Sequence, residues 1–163
     1  MRFRAFLLIA SLVPTAAMAQ SISRTYVGPD NGNWSDPNNW SPAGVPIGTD
    51  SGSALRNADN ATVSGVVSVT FDFDYPPNLF RFVTIHANAT YYQSAGTLAA
   101  LSIDMDATGY QSGGTVYGFN GVTLGGSYTL SGNGSVRTTR PSNIYINGTL
   151  NGSGGSIGGM KGL

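Results

Sequence analysis

The chain of 163 residues has no cysteine and no glutamate, and it contains one lysine, Lys161, and one histidine, His86. Each shortage excludes something. Without cysteine there is no disulfide framework and no Cys/His zinc spacing. With Glu absent and Lys nearly so, the straight-chain helix formers are missing, which argues against a helical bundle or a coiled coil. Only 10% of residues are charged and the formal net charge is zero, so neither a charged disordered tail nor a basic nucleic-acid-binding surface fits. A histidine-based nucleophile system has only His86 to draw on, and nothing local supplies the Ser and carboxylate it needs. A solvated surface histidine is the simpler reading. No P-loop and no phosphate-binding glycine motif occurs.

What is present is 23 glycines, 8 prolines and 40% apolar residues, set among Ser, Thr and Asn. The apolar fraction supports a core, and the Gly and Pro divide it into short segments. That combination predicts an all-β chain punctuated by turns.

Arg2 and Arg4 precede the apolar run Phe6-Leu7-Leu8-Ile9-Ala10-Ser11-Leu12-Val13, and Pro14 ends it. Ala17-Met18-Ala19 then places small residues where a signal peptidase reads them. Residues 1–19 therefore read as a secretory signal peptide, cut between Ala19 and Gln20. A membrane anchor needs about 20 apolar residues, more than this run offers, and no later stretch would give the mature chain a transmembrane helix. Loss of Arg2 and Arg4 leaves six basic against eight acidic residues. The expected location is exported: periplasm, outer cell surface or extracellular space.

The rest of the chain repeats itself. Gly96-Thr97-Leu98, Gly114-Thr115-Val116, Gly134-Ser135-Val136 and Gly155-Ser156-Ile157 recur at spacings of 18, 20 and 21 residues. In step with them run the apolar-polar-apolar triplets Val83-Thr84-Ile85, Leu101-Ser102-Ile103, Val122-Thr123-Leu124 and Ile144-Tyr145-Ile146, each sending two side chains to one face of a strand. Tyr92-Gln93-Ser94 and Tyr110-Gln111-Ser112 form a third phrase, with Leu130-Ser131 in the comparable place.

A unit of about 20 residues with no helical half excludes propeller blades and the common helical repeats. It predicts a right-handed parallel β-helix over residues 58–163, built of coils of about 18–22 residues, each strand pairing with its equivalent one coil away. The predicted interior rows are Val83, Leu101, Val122 and Ile144; then Ile85, Ile103, Leu124 and Ile146; and on another wall Leu98, Val116, Val136 and Ile157. Asn88, Asp106, Gly126 and Asn147-Gly148 fall where the chain must bend. An antiparallel β-sandwich of short strands is the alternative.

Residues 20–57 differ, being rich in Trp, Pro and Asn, and read as a loop-rich N-terminal cap whose indoles cover the open end of the solenoid. The competing reading is that Trp34 and Trp40 are exposed and stack on sugar rings. Asp72-Phe73-Asp74 and Asp104-Met105-Asp106 are paired carboxylates that could hold Ca²⁺ or act on glycosides, with Arg81, Arg137 or Arg140 recruited beside them. The plainer reading places Phe71, Phe73, Tyr75, Leu101, Ile103 and Met105 inside and the aspartates in water. No cofactor, metal site or catalytic residue is expected.

The phrase Gly32-Asn33-Trp34-Ser35-Asp36-Pro37-Asn38-Asn39-Trp40, followed by Gly44-Val45-Pro46 and Thr49-Asp50, resembles the start of exported bacterial β-helix proteins. These are autotransporter passenger domains and repeat-rich surface proteins with a PEP-CTERM sorting signal, and the Tyr-Gln-Ser-x-Gly-Thr phrases are similar to their repeats. The resemblance covers most of residues 25–157. It implies a structural or adhesive role at the bacterial surface or in the extracellular matrix, without catalysis. A carbohydrate-binding module or a polysaccharide-active β-helix enzyme is the alternative. Such proteins commonly end in an outer-membrane barrel or a sorting tail. Neither motif occurs before Gly159-Met160-Lys161-Gly162-Leu163, so a truncated member is expected, partnered by surface or matrix polysaccharide or by itself through its solenoid ends.

Overall fold

The structure is a computed structural model that describes residues 21–46, 58–72, 80–139 and 141–160. The signal segment with Ala19 and Gln20, the end of the cap segment, Phe73-Asp74-Tyr75, Arg140 and residues 161–163 lie outside the described residues. The strands in chain order are β1 (Ser23–Tyr26), β2 (Gly32–Asn33), β3 (Trp40–Ser41), β4 (Asn60–Val63), β5 (Ser68–Phe71), β6 (Phe80–Ile85), β7 (Thr90–Gln93) and β8 (Thr97–Met105). There follow β9 (Thr108–Gln111), β10 (Thr115–Leu124), β11 (Ser127–Leu130), β12 (Ser135–Thr139), β13 (Asn143–Ile146), β14 (Thr149–Gly152) and β15 (Ser156–Met160).

Two sheets run the length of the molecule. One is ordered β15-β12-β10-β8-β6-β4-β1-β3, with β13 also on β10, and the other β14-β11-β9-β7-β5-β2. Every strand pairs in parallel with its equivalent one coil away, except that β3 turns back antiparallel on β1. The chain is therefore a parallel β-solenoid, and the sandwich alternative is excluded by the parallel pairing. β8 and β10 each cross a corner between two walls, and in the next coil the same path is divided into β12 and β13.

The wall holding Leu98, Val116, Val136 and Ile157 is in the register that the Gly-Thr phrases predict. The neighbouring wall corrects the prediction. Val83 pairs with Ile103, not Leu101, so the rows are Val83, Ile103, Val122 and Ile144, then Ile85, Met105, Leu124 and Ile146. The physical reason lies at the corner. One residue, Leu101, bridges Ala100 and Ser102, whereas Phe119 and Asn120 bridge Gly118 and Gly121 as a bulge, and four residues bridge Thr138 and Asn143. Coils grow unequally at this corner, so one spacing does not hold on every wall. The longest corner is fastened by hydroxyls: Thr139 and Ser142 both donate to the Phe119 carbonyl.

The core runs from the Trp34–Trp40 end to Val136; in the last described coil Ile146 and Ile157, expected inside, are 43% and 39% exposed, because among the described residues no further coil covers them. Val83, Ile85, Ile103, Met105, Val122 and Leu124 are all within 2% of full burial, each contributing roughly 1.5–3 kcal/mol of transfer free energy. Two polar side chains also point inward. Gln93 and Gln111 are buried, and each amide spans a bend: Gln93 Nε2 donates to the Ala95 and Gly96 carbonyls, and Gln111 Nε2 to those of Gly114 and Ser135. Their Oε1 atoms accept from the Tyr91 and Tyr128 hydroxyls at 3.0 and 2.8 Å. Burial pushes both phenols well above their ordinary pKa, so they stay protonated donors. Gly109 stands in register between Tyr91 and Tyr128. A Cβ there would lie 2.4 Å from the Tyr128 ring, so the missing side chain is what seats that ring. At the bends, Gly96 and Gly114 adopt φ of 73° and 71°, conformations that favour glycine, and Asn88 adopts 74°.

The segment expected to be a cap begins with a coil of its own. β1 and β2 stack on β4 and β5, and β3 then closes the edge of β1. Arg24 ties this end together: its Nε meets Asp59 Oδ2 at 2.9 Å, and its Nη1 donates to the Pro42 and Ala43 carbonyls.

The corrected rows predict that Ile103→Ala lowers stability by about 2–5 kcal/mol, the usual cost of a core cavity. Half-buried Leu101→Ala costs less than half as much. Urea unfolding of the two variants checks the assignment, and equal midpoints contradict it.

Candidate functional site

The two tryptophans are in the core. Trp34 is 0% and Trp40 2% exposed, with ring centroids 4.6 Å apart in edge-to-face contact, and Tyr26, Phe71 and Phe80 complete the cluster. Trp40 Nε1 donates to the Trp34 carbonyl at 2.9 Å. Neither indole offers a face to a sugar, so the glycan-stacking reading of Trp34 and Trp40 is corrected. The apolar end of the solenoid needs their area more than the surface does.

Among the described titratable residues, His86, Asp104 and Asp106 lie near one another, and Asp72, Arg81 and Arg137 stand apart from them without ion pairs. His86 is exposed, as the sequence suggested. Asp72 is engaged by Ser35, whose backbone N–H donates at 3.0 Å and whose hydroxyl donates to the other oxygen. Asp104 lies between Thr84 and Thr123 in register, on the outer face, one strand position from inward-facing Ile103 and Met105. Partial burial, and next the Asp106 charge, raise its pKa, while His86 opposes them. Arg81 lies over the Phe82 ring at 5.5 Å, and Arg137 stands beside Tyr117 on a different wall. Among the described residues, no group of three or more His, Cys, Asp or Glu is placed to hold a metal ion. Neither arginine forms an ion pair with Asp72, Asp104 or Asp106.

The second sheet carries the most distinctive surface. Its strands alternate, so that Tyr91 and Gln93 go in while Tyr92 goes out, and one coil later Gln111 goes in while Tyr110 goes out. Tyr92 and Tyr110 are in register, 37% and 44% exposed, with ring centroids 5.3 Å apart and planes 11° from parallel. This is an offset stack of the kind aromatic pairs prefer. Thr70 and Thr129 continue the column on either side. A shallow depression of about 180 Å³ adjoins the rings, lined also by Ser94, Ser112 and Ser131. The Tyr-Gln-Ser phrase was visible as a repeat. Its orientation was not, because Tyr91-Tyr92 is apolar at both parities and the buried member of the phrase is the polar Gln.

A second depression of about 410 Å³ lies on another wall, between Thr97, Thr115, Tyr117 and Arg137. It holds a single charge and no acid–base pair. No known protein family, curated protein or solved structure matches the chain.

The raised Asp104 pKa sets a pH dependence. The folded state holds this proton more tightly than the unfolded chain, so the contribution is favourable in acid and is lost as pH rises from the ordinary carboxylate range through the raised value. Asp104→Asn is expected to be more stable than wild type at pH 7, by less than about 1 kcal/mol because solvent screens the site. The difference shrinks toward pH 3. Urea midpoints at the two pH values check this, and a less stable variant at pH 7 refutes it.

Proposed function

We propose that the chain is an exported structural or adhesive β-helix of the bacterial cell surface or extracellular matrix, with no catalytic step of its own. The observation that carries this reading is the contrast between the two sides of the coil wall. Inside, apolar rows repeat coil after coil. Outside, the columns are mostly Thr, Ser, Asn and Tyr, and among the described residues no group of three or more His, Cys, Asp or Glu is placed to hold a metal ion. Such an exterior supports a scaffold that presents one surface many times over, and its neighbourhood of titratable groups, His86 with Asp104 and Asp106, is exposed and, among the described residues, ion-paired to no arginine.

Export rests on the sequence of residues 1–19 and on the resemblance of the Trp34–Trp40 phrase. Self-association through the C-terminal edge is part of the reading. Among the described residues, β13, β14 and β15 each pair toward the preceding coil only, and Tyr145, Ile146 and Ile157 are 53%, 43% and 39% exposed. The opposite edge is partly closed by β3.

Expression of the whole chain in a Gram-negative host tests the proposal. The expected product begins at Gln20, is recovered outside the cytoplasm, and releases no sugar from acidic or neutral polysaccharides. A cytoplasmic product that retains Met1 overturns the export reading, and catalytic depolymerisation overturns the structural one.

A further inference from the structure

We propose that the outer face around Tyr92 and Tyr110 binds a neutral polysaccharide chain running along the solenoid axis. This rests on the reading of the molecule as a surface scaffold and names what its adhesive face holds. Two near-parallel, partly exposed rings give apolar surface, and Ser94, Ser112 and Ser131 give donors and acceptors beside it. The stack turns one face of each ring toward the other, so a pyranose meets the outer edges and free faces of the pair with its C–H groups, and the serines with its hydroxyl rim.

Charge and periodicity select among stacking ligands. Unpaired nucleobases also stack on aromatic rings, but their backbone needs cations along the track. No arginine is among the described residues that line this face, and the Asp72 carboxylate stands one position beyond the Phe71–Gln93 pair at its edge. An acidic polysaccharide is disfavoured for the same reason. A protein epitope would meet the face with irregular side chains, whereas a chain of identical hydroxylated rings can repeat its contact from coil to coil. The depression of about 180 Å³ is below the roughly 300–1,000 Å³ of pockets that enclose a small ligand. It suits one portion of an extended chain.

The site is open to direct measurement by affinity electrophoresis of the purified whole chain. The gels contain hydroxyethylcellulose, galactomannan or xyloglucan as neutral polymers, with polygalacturonate and single-stranded oligothymidylate as charged comparators. At least one neutral polymer is expected to retard the protein, and the charged ones are not. Tyr92→Ala with Tyr110→Ala is expected to weaken retardation at least about tenfold, and the corresponding Phe pair is expected to retain it, since the rings carry the contact. Circular dichroism checks that the alanine variant stays folded. Ser112→Arg, which leaves both rings and crowds the depression, is expected to weaken binding as a second reading. Free migration in every neutral polymer, preferential binding of either charged polymer, or undiminished binding by a folded alanine pair overturns the proposal. Purified protein is used throughout, so failure here leaves the export and scaffold reading standing, and failure of export leaves this result standing.

Discussion

Everything in this molecule depends on backbone pairing between successive coils in parallel register. A single coil of about 20 residues cannot bury its own apolar face. Once a coil is laid on the one before it, the strands satisfy each other's backbone groups. Each inward side chain then rests on its equivalent, as Leu98 does on Val116 and Val116 on Val136. The chain has no cysteine, so no disulfide supplies what pairing does not. The same constraint governs the interior polar groups. Gln93 and Gln111 occupy core positions because bends leave carbonyls to be satisfied, and a side-chain amide in register can satisfy carbonyls of its own coil and of the next.

The fold was legible because the repeat records it. The Gly-Thr phrases mark a bend followed by a wall, and they predict the register of that wall correctly. The triplets did less well, since Leu101-Ser102-Ile103 and Ile103-Asp104-Met105 are both apolar-polar-apolar. Choosing between them requires knowing how many residues turn the corner after Ala100, a property of backbone geometry rather than of pattern. The segment expected to be a cap stood out in composition, but its construction as a coil with β1 and β2 stacked on β4 and β5 was not legible. Trp34 and Trp40 were marked as unusual, yet their burial follows from Tyr26, Phe71 and Phe80 converging on them, and Phe71 and Phe80 belong to later coils.

The candidate surface was the least legible part, for a reason rooted in strand alternation. Within Thr90-Tyr91-Tyr92-Gln93, hydrophobicity alone cannot say which tyrosine faces water. The structure resolves this through hydrogen bonding, because the buried Tyr91 hydroxyl reaches Gln93. That leaves Tyr92 outward, and the 18-residue step to Tyr110 in the adjacent coil turns one exposed ring into a stacked pair. The Asp-x-Asp pairs show the converse, since Asp104 and Asp106 face water while Ile103 and Met105 fill the core.

Register is therefore the claim on which core, bends and surface all stand, and the absence of native cysteine makes it accessible to cross-linking. Thr123 lies opposite Asp104 in the neighbouring coil, both on the outer face. Cysteines at these two positions fall within disulfide reach. Cysteines at Ser102 and Thr123 are separated by a further two residues along the strand, roughly 8 Å between Cα atoms. Under mild oxidation, Asp104→Cys with Thr123→Cys is predicted to form an intramolecular disulfide rapidly and nearly completely, and Ser102→Cys with Thr123→Cys is not. Preferential cross-linking of the second pair would contradict the register, and cross-linking of neither would contradict the stacking of these coils.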